Sequence, residues 1–205
     1  MTVKLVWATP KGEELIAYMA RVSNPSNQDN PETAPKLLQY LMKNKHWSPF
    51  EMVNVCMEIK CTRDIGRQIL RHRSFSFQEF SQRYAEALDW ELGGARLQDK
   101  KNRQNSLPTQ DRELERWWQE EQQKVVAQAR HAYGAALNNG IAKEVARKVL
   151  PEGLTMSAMY MNGTLRSWMH FIDIRCDEAT QKEHRDVADK CKAVLQQQFP
   201  ILFKE

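Results

Sequence analysis

Arg71-His72-Arg73, seven residues and then Ser81, with Gln82-Arg83-Tyr84 behind it, is the stretch whose residue types can do chemistry. Arginine offers a planar fork of donors that stays charged at any working pH, so several in one short stretch suit phosphates or an anionic ring edge. On the helix predicted just before it, Arg67 and Arg71 are four apart and Gln68 and Arg71 three apart. That spacing puts the Gln68 amide and the Arg71 guanidinium on one face. A uracil-like ring, with alternating carbonyls and N–H, would be read by such groups. Glu79, Ser81 and Arg83 follow at intervals of two, so if 77–84 is extended they project to one side as a carboxylate, a hydroxyl and a guanidinium along one pocket wall. Taken on spacing alone, the same residues also read as a solvated basic face or a weak polyanion patch.

Other chemistries are less well served. No His or Asp is placed by sequence to activate Ser81 as a nucleophile, and a hydrogen bond to a nucleotide is its natural role. Cys56 falls on the polar side of an alternating strand and Cys61 at its end, which makes neither a strong nucleophile. Histidines 46, 72, 131, 170 and 184 form no HExxH or other ligand spacing, so no metal is expected. Trp117-Trp118 suggests base stacking, yet aromatic residues on a long amphipathic helix read as core or subunit contact.

The charge distribution favours an anionic ligand. Lys plus Arg number 30 against 26 Asp plus Glu, a net +4. Residues 60–73 hold Lys60, Arg63, Arg67, Arg71 and Arg73 against Asp64 alone, so this stretch equals the net charge of the whole protein. With 41% hydrophobic and 27% charged residues the composition is that of a globular chain able to bury a core, which excludes extended disorder. The four cysteines, at 56, 61, 176 and 191, include no CxxC pair and point to a reducing compartment. The opening MTVKLVWATPKGEEL reaches Pro10 and then charges too soon for a signal-peptide core or a membrane span. The expectation is a soluble, cytoplasmic protein with no membrane partner.

These side chains must be positioned by a mixture of strands and helices. Val3 to Trp7 predicts a strand, and Leu15, Ile16, Met19 and Val22 a helix after it. Glu32 to Lys43 repeats the helical pattern, and His46-Trp47-Ser48-Pro49-Phe50 breaks it into a loop. Val53 to Cys61 alternates apolar odd positions with polar even ones, the clearest strand of the chain. Thr62 caps a helix running to about Arg71. Residues 98–112 are polar and predict a surface loop. Leu114, Trp117, Trp118, Val125, Ala129, Ala132, Tyr133 and Ala136 trace one face of a long helix ended by Asn138-Asn139-Gly140. A short helix follows over 142–150. Residues 155–161 are ambiguous, and helices are predicted over 165–175 and 183–198. On the 165–175 helix Arg166 and His170 lie opposite a stripe of Leu165, Trp168, Met169 and Ile172. The whole predicts one α+β domain over 1–205, a small antiparallel sheet packed with several long helices.

The quoted blocks also carry a resemblance. RHRSFSFQEFS fits the RHRx7S signature of the flavin-dependent thymidylate synthases, the ThyX family. HWSPFE resembles the family's H-x-[TS]-P-F-E segment, and EVARKVLP its E-x-A-R-x-x-L-P helix. RSWMHFIDIR is similar to its late arginine-bearing helix, and the blocks follow the family's order from about residue 20 to 176. The sequence differs at Gln78 and His170, where other members commonly have Asn, and at Ala179, where many have a flavin-side histidine.

The resemblance implies reductive methylation of dUMP to dTMP, with methylenetetrahydrofolate as carbon donor, FAD as redox cofactor and NADPH as reductant. It implies that Gln68, Arg71, Glu79, Ser81, Arg83 and Arg147 hold dUMP, the last two arginines nearest its phosphate, and that Arg175 meets the uracil and favours its ionised form. For FAD it implies Ser23, His46, Ser48, Arg71, His72, Arg73, Glu79, Asn162, Arg166 and His170. It implies a homotetramer with active sites shared between subunits, a sensible arrangement for a 205-residue chain serving two nucleotides and a folate. The alternative is a small nucleic-acid-binding domain using the 60–73 cluster for phosphates. Such a domain is ordinarily more basic overall, with a pI above about 9 and a wider charged face, so no nucleic-acid partner is expected.

Overall fold

The computed structural model describes residues 1–87 and 89–204 of the chain. Its elements run β1 (Thr2–Ala8), α1 (Gly12–Ala20), α2 (Ala34–Lys43), β2 (Asn54–Thr62), α3 (Arg63–Ile69), β3 (Phe75–Glu79), β4 (Arg96–Gln98), β5 (Ser106–Pro108), α4 (Arg112–Asn138), α5 (Lys143–Ala146), β6 (Met156–Thr164), α6 (Leu165–Arg175) and α7 (Lys182–Gln198). Four strands form one antiparallel sheet in the order β1-β2-β6-β3, and β4 and β5 form a separate hairpin, so the α+β expectation holds.

Alternation decides which side of the sheet is covered. On β2 the odd residues Val55, Met57, Ile59 and Cys61 are fully buried, and they pair across to Gly163, Met161, Met159 and Ser157 of β6, all buried. Helices α6 and α7 bring Leu165, Trp168, Phe171, Val187, Cys191 and Leu195 into the same core. Trp168 donates its buried indole N–H to the Val55 carbonyl at 3.0 Å, which ties α6 to the central strand. Cys56 is covered between its neighbours, although its even position predicts the polar side.

The two central strands hand over directly to helices. Thr62 and Thr164 each end a nine-residue strand and sit at the N-cap of α3 and α6 with extended backbone. The Thr164 hydroxyl accepts from the Ser167 amide at 3.3 Å, an ordinary cap. Thr62 is buried and its hydroxyl makes no capping bond, while the Arg63 amide donates to the Thr155 carbonyl at 3.0 Å. Because β2 and β6 run antiparallel, α3 and α6 start at opposite ends of the sheet. Seven and eleven helical residues cover about 10 and 16 Å, close to the roughly 30 Å of a nine-residue strand, so the two helix C-termini approach each other.

Several expectations need correcting. The first helix ends at Ala20, and Val22 is exposed beyond it. Within 46–50, Ser48 opens a 3-10 turn to Met52, because Pro49 suits the start of a helical turn. Helix α3 stops at Ile69, since the Arg71 and His72 amides close tight turns onto the carbonyls of Gln68 and Ile69. Residues 98–112 hold a hairpin strand and its turn in place of a simple loop. The Asp99 carboxylate organises that turn by accepting from the amides of Lys101 and Asn102 and from Asn105 Nδ2. The ambiguous 155–161 stretch is a central strand. On α4, Ala129 and Tyr133 are buried, whereas Trp117, Trp118 and Val125 are 54%, 39% and 49% exposed, so much of the predicted apolar face is uncovered.

Gly163 is required by close approach. A Cβ there would lie 2.4 Å from Phe75 Cδ1, and that ring is held edge-on by Trp168 with centroids 4.9 Å apart. Gly163→Ala is expected to lower stability by about 1–3 kcal/mol through overpacking. Urea unfolding reads this, and an unchanged midpoint would mean Phe75 is free to move.

His184 is the least conventional core residue, fully buried with its ring 5.9 Å from Phe171 and 6.3 Å from His72. Burial, with the charges of Arg175 and His72, pushes its pKa down to about 3. Burial, with Arg175 and His170, pushes His72 down to about 4. An unfolded chain protonates both near pH 6.5 and the folded chain does not, so this stability is present above pH 6.5 and is lost as pH falls toward 4. The urea midpoint at fixed protein concentration is expected to fall between pH 6.5 and 5, above the carboxylate range, and His184→Phe to remove about half of that slope. An identical slope in the variant would show that His184 titrates normally in the fold.

Candidate active site

Where α3 and α6 end, their side chains meet. Arg175, the last residue of α6, donates from Nε to His72 Nε2 at 2.8 Å. His72 lies in the turn after α3, half-buried, with its ring edge-on to Phe171 at 5.0 Å and to Phe75 at 6.4 Å. Accepting at Nε2 leaves the proton of the neutral ring on Nδ1. The bond uses only Arg175 Nε, and among the described residues no protein acceptor engages its two terminal nitrogens. Ser167 Oγ donates to the Ser74 carbonyl at 3.3 Å, so α6 holds the 71–75 turn at a second point.

Gln68 joins this centre from α3. Its Oε1 lies 3.2 Å from His184 Nδ1 and its Nε2 donates to Gln181 Oε1 at 2.7 Å. Arg71 and Arg73 flank His72 and are exposed. Helix α3 ends at Ile69, so Arg71 stands in the turn just beyond it, its amide donating to the Gln68 carbonyl at 3.3 Å.

The ion pairs sort the basic cluster. Arg63 pairs with Glu79 at 3.4 Å, Lys60 with Glu58 at 4.0 Å, and Arg67 with Glu152. Among the described residues no carboxylate pairs with Arg71, Arg73, Arg147 or Arg175. Three of the five cations of 60–73 are thus locally neutralised. What remains is not a continuous phosphate-tracking stripe, which counts against the nucleic-acid alternative.

The other predicted residues fall into separate groups. Glu79, half-buried at the end of β3, accepts from Ser157 Oγ at 2.9 Å and from Arg63. The strand stops there, and the chain turns at Ser81, whose hydroxyl accepts from the Arg83 amide at 3.3 Å. Glu79, Ser81 and Arg83 therefore do not line one extended edge, contrary to expectation. Arg83 pairs with Glu144 at 3.3 Å, and Arg147 donates from Nε to the Glu144 carbonyl at 3.3 Å, so the two arginines predicted for the phosphate share one neighbour. Arg166 pairs with Glu51, which brings α6 to the 3-10 turn begun by Ser48. Arg166 and His170 are exposed, and Leu165, Trp168 and Ile172 are buried, as the helical spacing predicts. His46 is exposed, with Tyr40 edge-on at 5.8 Å. Asn162 on β6, beside Ser76 of β3, keeps its Oδ1 buried with no partner. Ser23 is exposed in the turn after α1, and no hydrogen bond or ion pair among the described residues links it to the His72 centre.

The arrangement fits an anionic, ring-bearing cofactor. Unpaired Arg71 and Arg73 suit phosphates, and the orphaned Asn162 oxygen lacks the donor that a ring N–H would supply. Three cavities of about 320, 380 and 390 Å³ lie elsewhere, at α1 and the 28–34 turn, between Pro10 and Phe199, and along the β4–β5 hairpin. None is lined by a residue predicted for dUMP or FAD. Among the described residues no cluster of three or more His, Cys, Asp or Glu could hold a metal ion, and no helix is long and apolar enough to cross a membrane. The residues that sequence reasoning missed are His184, Gln181 and their neighbours. Their only signal was a histidine on an otherwise apolar helix face.

Comparison with known proteins gives the family. Residues 4–201 match the family model described as thymidylate synthase complementing protein. The chain is 49% identical over 205 residues to a probable flavin-dependent thymidylate synthase of Paramecium bursaria Chlorella virus 1, covering all of this chain and 94% of that protein. It is 51% identical over 190 residues to the flavin-dependent thymidylate synthase of Synechocystis sp., covering 93% of this chain and 87% of that one. Among solved structures, a UMP/dUMP methylase PolB from Streptomyces cacaoi bound with 5-Br dUMP superposes with a TM-score of 0.84 at 26% identity, over 99% of this chain and 93% of that one. With its RHRx7S stretch seated at the junction of α3 and α6 and the match running over nearly its whole length, the chain belongs to the thymidylate synthase complementing protein family, the flavin-dependent thymidylate synthases.

Proposed function

We propose that this protein carries out the reductive methylation of dUMP to dTMP, with methylenetetrahydrofolate as carbon donor, FAD as cofactor and NADPH as reductant. The observation that carries the reading is the Arg175 guanidinium, anchored through Nε on a neutral His72 with its terminal fork uncommitted. Relatives at 49% and 51% identity bear the flavin-dependent name, and a similar structure holds a dUMP analogue.

In this reading Gln68, Arg71, Glu79, Ser81, Arg83 and Arg147 bind dUMP. The positive charge of Arg175 beside the uracil lowers the cost of negative charge on the ring and makes its C5 a better nucleophile. Neutral His72 contributes orientation without adding a competing positive charge. Arg71 and Arg73 hold the flavin phosphates, with Ser23, His46, Ser48, His72, Glu79, Asn162, Arg166 and His170 completing its surroundings. When bound, the flavin supplies hydride transfer between the nicotinamide and the one-carbon unit.

Two observations support a homotetramer with shared sites. The predicted residues fall into groups that one chain does not join. Trp117, Trp118 and Val125 of α4, and Ile141, Val145 and Val149 beyond its C-terminus, are exposed apolar residues of the kind that subunit contacts cover. A single domain over 1–205 and a cytoplasmic location, where the free cysteines stay reduced, complete the reading.

The purified protein is expected to carry a yellow chromophore or to take up FAD on titration, and a colourless protein that binds no flavin would sink the proposal. Arg175→Lys keeps the charge but loses the planar fork. It is expected to retain flavin and measurable dUMP affinity while single-turnover dTMP formation falls by orders of magnitude, a loss of roughly 3 kcal/mol or more. A near-normal rate would reduce Arg175 to a helix-end charge.

A further inference from the structure

Gln68 is one link of a hydrogen-bond chain whose direction is fixed at its far end. Arg96, on the β4–β5 hairpin, forms an ion pair through Nη1 with Glu183 Oε1 at 2.5 Å. The other Glu183 oxygen accepts from Gln181 Nε2 at 3.1 Å. An ionised carboxylate only accepts, so Gln181 has to turn its nitrogen to Glu183 and its oxygen the other way. That oxygen accepts from Gln68 Nε2 at 2.7 Å, which leaves Gln68 Oε1 facing His184 Nδ1 at 3.2 Å. With an oxygen as its partner, Nδ1 has to carry the imidazole proton. Burial would raise the Glu183 carboxyl, yet the bonds from Arg96, its own amide and Gln181 hold it below the ordinary carboxylate range, so the anchor stays charged.

The near end of the chain has no slack. His184 is fully buried and its Nε2 has no partner, so its one N–H is committed to Gln68. Gln68 is left with one amide hydrogen free, while its oxygen is turned toward buried His184 with one lone pair engaged. Helix α7 supplies His184 and Glu183, the hairpin supplies Arg96, and none of them is among the residues predicted to touch nucleotide or flavin.

We propose that Arg96, Glu183, Gln181 and His184 are positioning residues that lock the Gln68 amide so that it offers the nucleotide a donor only, selecting an oxygen acceptor at that point. This rests on the reading of Gln68 as a dUMP-binding residue. The acceptor is a ring carbonyl or a phosphate oxygen, and the test separates them.

The experiment uses flavin-loaded protein carrying Glu183→Gln, with Gln181→Ala, at an exposed position, as the second variant. In both, the Kd for dUMP is expected to rise roughly tenfold, about what one well-made hydrogen bond contributes. Flavin stays bound, and kcat at saturating dUMP stays within about twofold, the signature of a lost binding contact. In a Gln68→Ala background, Glu183→Gln is expected to add no further loss, since it acts only through that amide. Weakening shared by dUMP and deoxyuridine assigns the ring carbonyl, and weakening confined to dUMP assigns the phosphate. Equal losses in both backgrounds, or unchanged dUMP affinity, would overturn the proposal. Independently of nucleotide, the ¹⁵N shifts of His184 are expected to place its proton on Nδ1 in the unaltered protein. A proton on Nε2 overturns the relay, whereas an Nδ1 proton in a protein that binds no dUMP supports the relay and overturns the substrate reading alone.

Discussion

The bond from Arg175 to His72 is where the geometry of the sheet becomes chemistry. Two nine-residue strands lie antiparallel at the centre, and each passes through a threonine straight into a helix. Two helices as short as these, starting from opposite ends of one sheet and crossing the same face, meet at their C-termini. The residues that meet there are Arg175 at the end of α6 and His72 just past the end of α3, 2.8 Å apart. Lengthening either helix by a turn would move its end by about 5 Å and break the contact. Gly163 matters for the same reason, since without a side chain it lets Phe75 lie against β6 and seat the 71–75 turn under α6.

Electrostatics then separates the cations that have carboxylate partners from those that do not. Arg63, Arg67 and Lys60 have carboxylate partners, while Arg71, Arg73 and Arg175 have none among the described residues. A protonated imidazole beside Arg175 would add repulsion, and burial keeps His72 neutral instead. An unpaired, partly buried guanidinium is costly for a folded chain unless a ligand anion completes it, which singles out Arg175 as the cation whose position favours an anionic partner. Arg175 is half-buried while Arg71 and Arg73 are exposed, the contrast that the proposed ring contact for the first and the proposed phosphate contacts for the others would need.

Much of this was legible in the sequence, for identifiable reasons. Strand β2 announced itself because every odd residue from 53 to 61 is apolar, and α6 because Leu165, Trp168 and Ile172 keep helical spacing against Arg166 and His170. Strand β6 did not, because its inward residues are Ser157, Met159, Met161 and Gly163, and a serine and a glycine hide the period of two. The hairpin was hidden for a different reason: its order comes from Asp99 and Asn105 side chains bonding backbone, which no apolar pattern reports. The RHRx7S stretch pointed to the junction of α3 and α6, but the end of α3 and the turn at Ser81 come from local bonds of the Arg71, His72 and Arg83 amides that no periodicity reports. His184 was unreadable because its role exists only once α7 lies against Gln68.

The central claim is that His72 serves chemistry by aiming Arg175. Single-turnover dTMP formation by flavin-loaded His72→Phe tests it most directly, since the aromatic surroundings of His72 accept a phenyl ring. The account predicts that dUMP still binds and that flavin still binds when supplied at saturation, while the rate of the loaded enzyme falls by about tenfold or more, the expected consequence of releasing a preorganised group. A variant that turns over at the normal rate would contradict it.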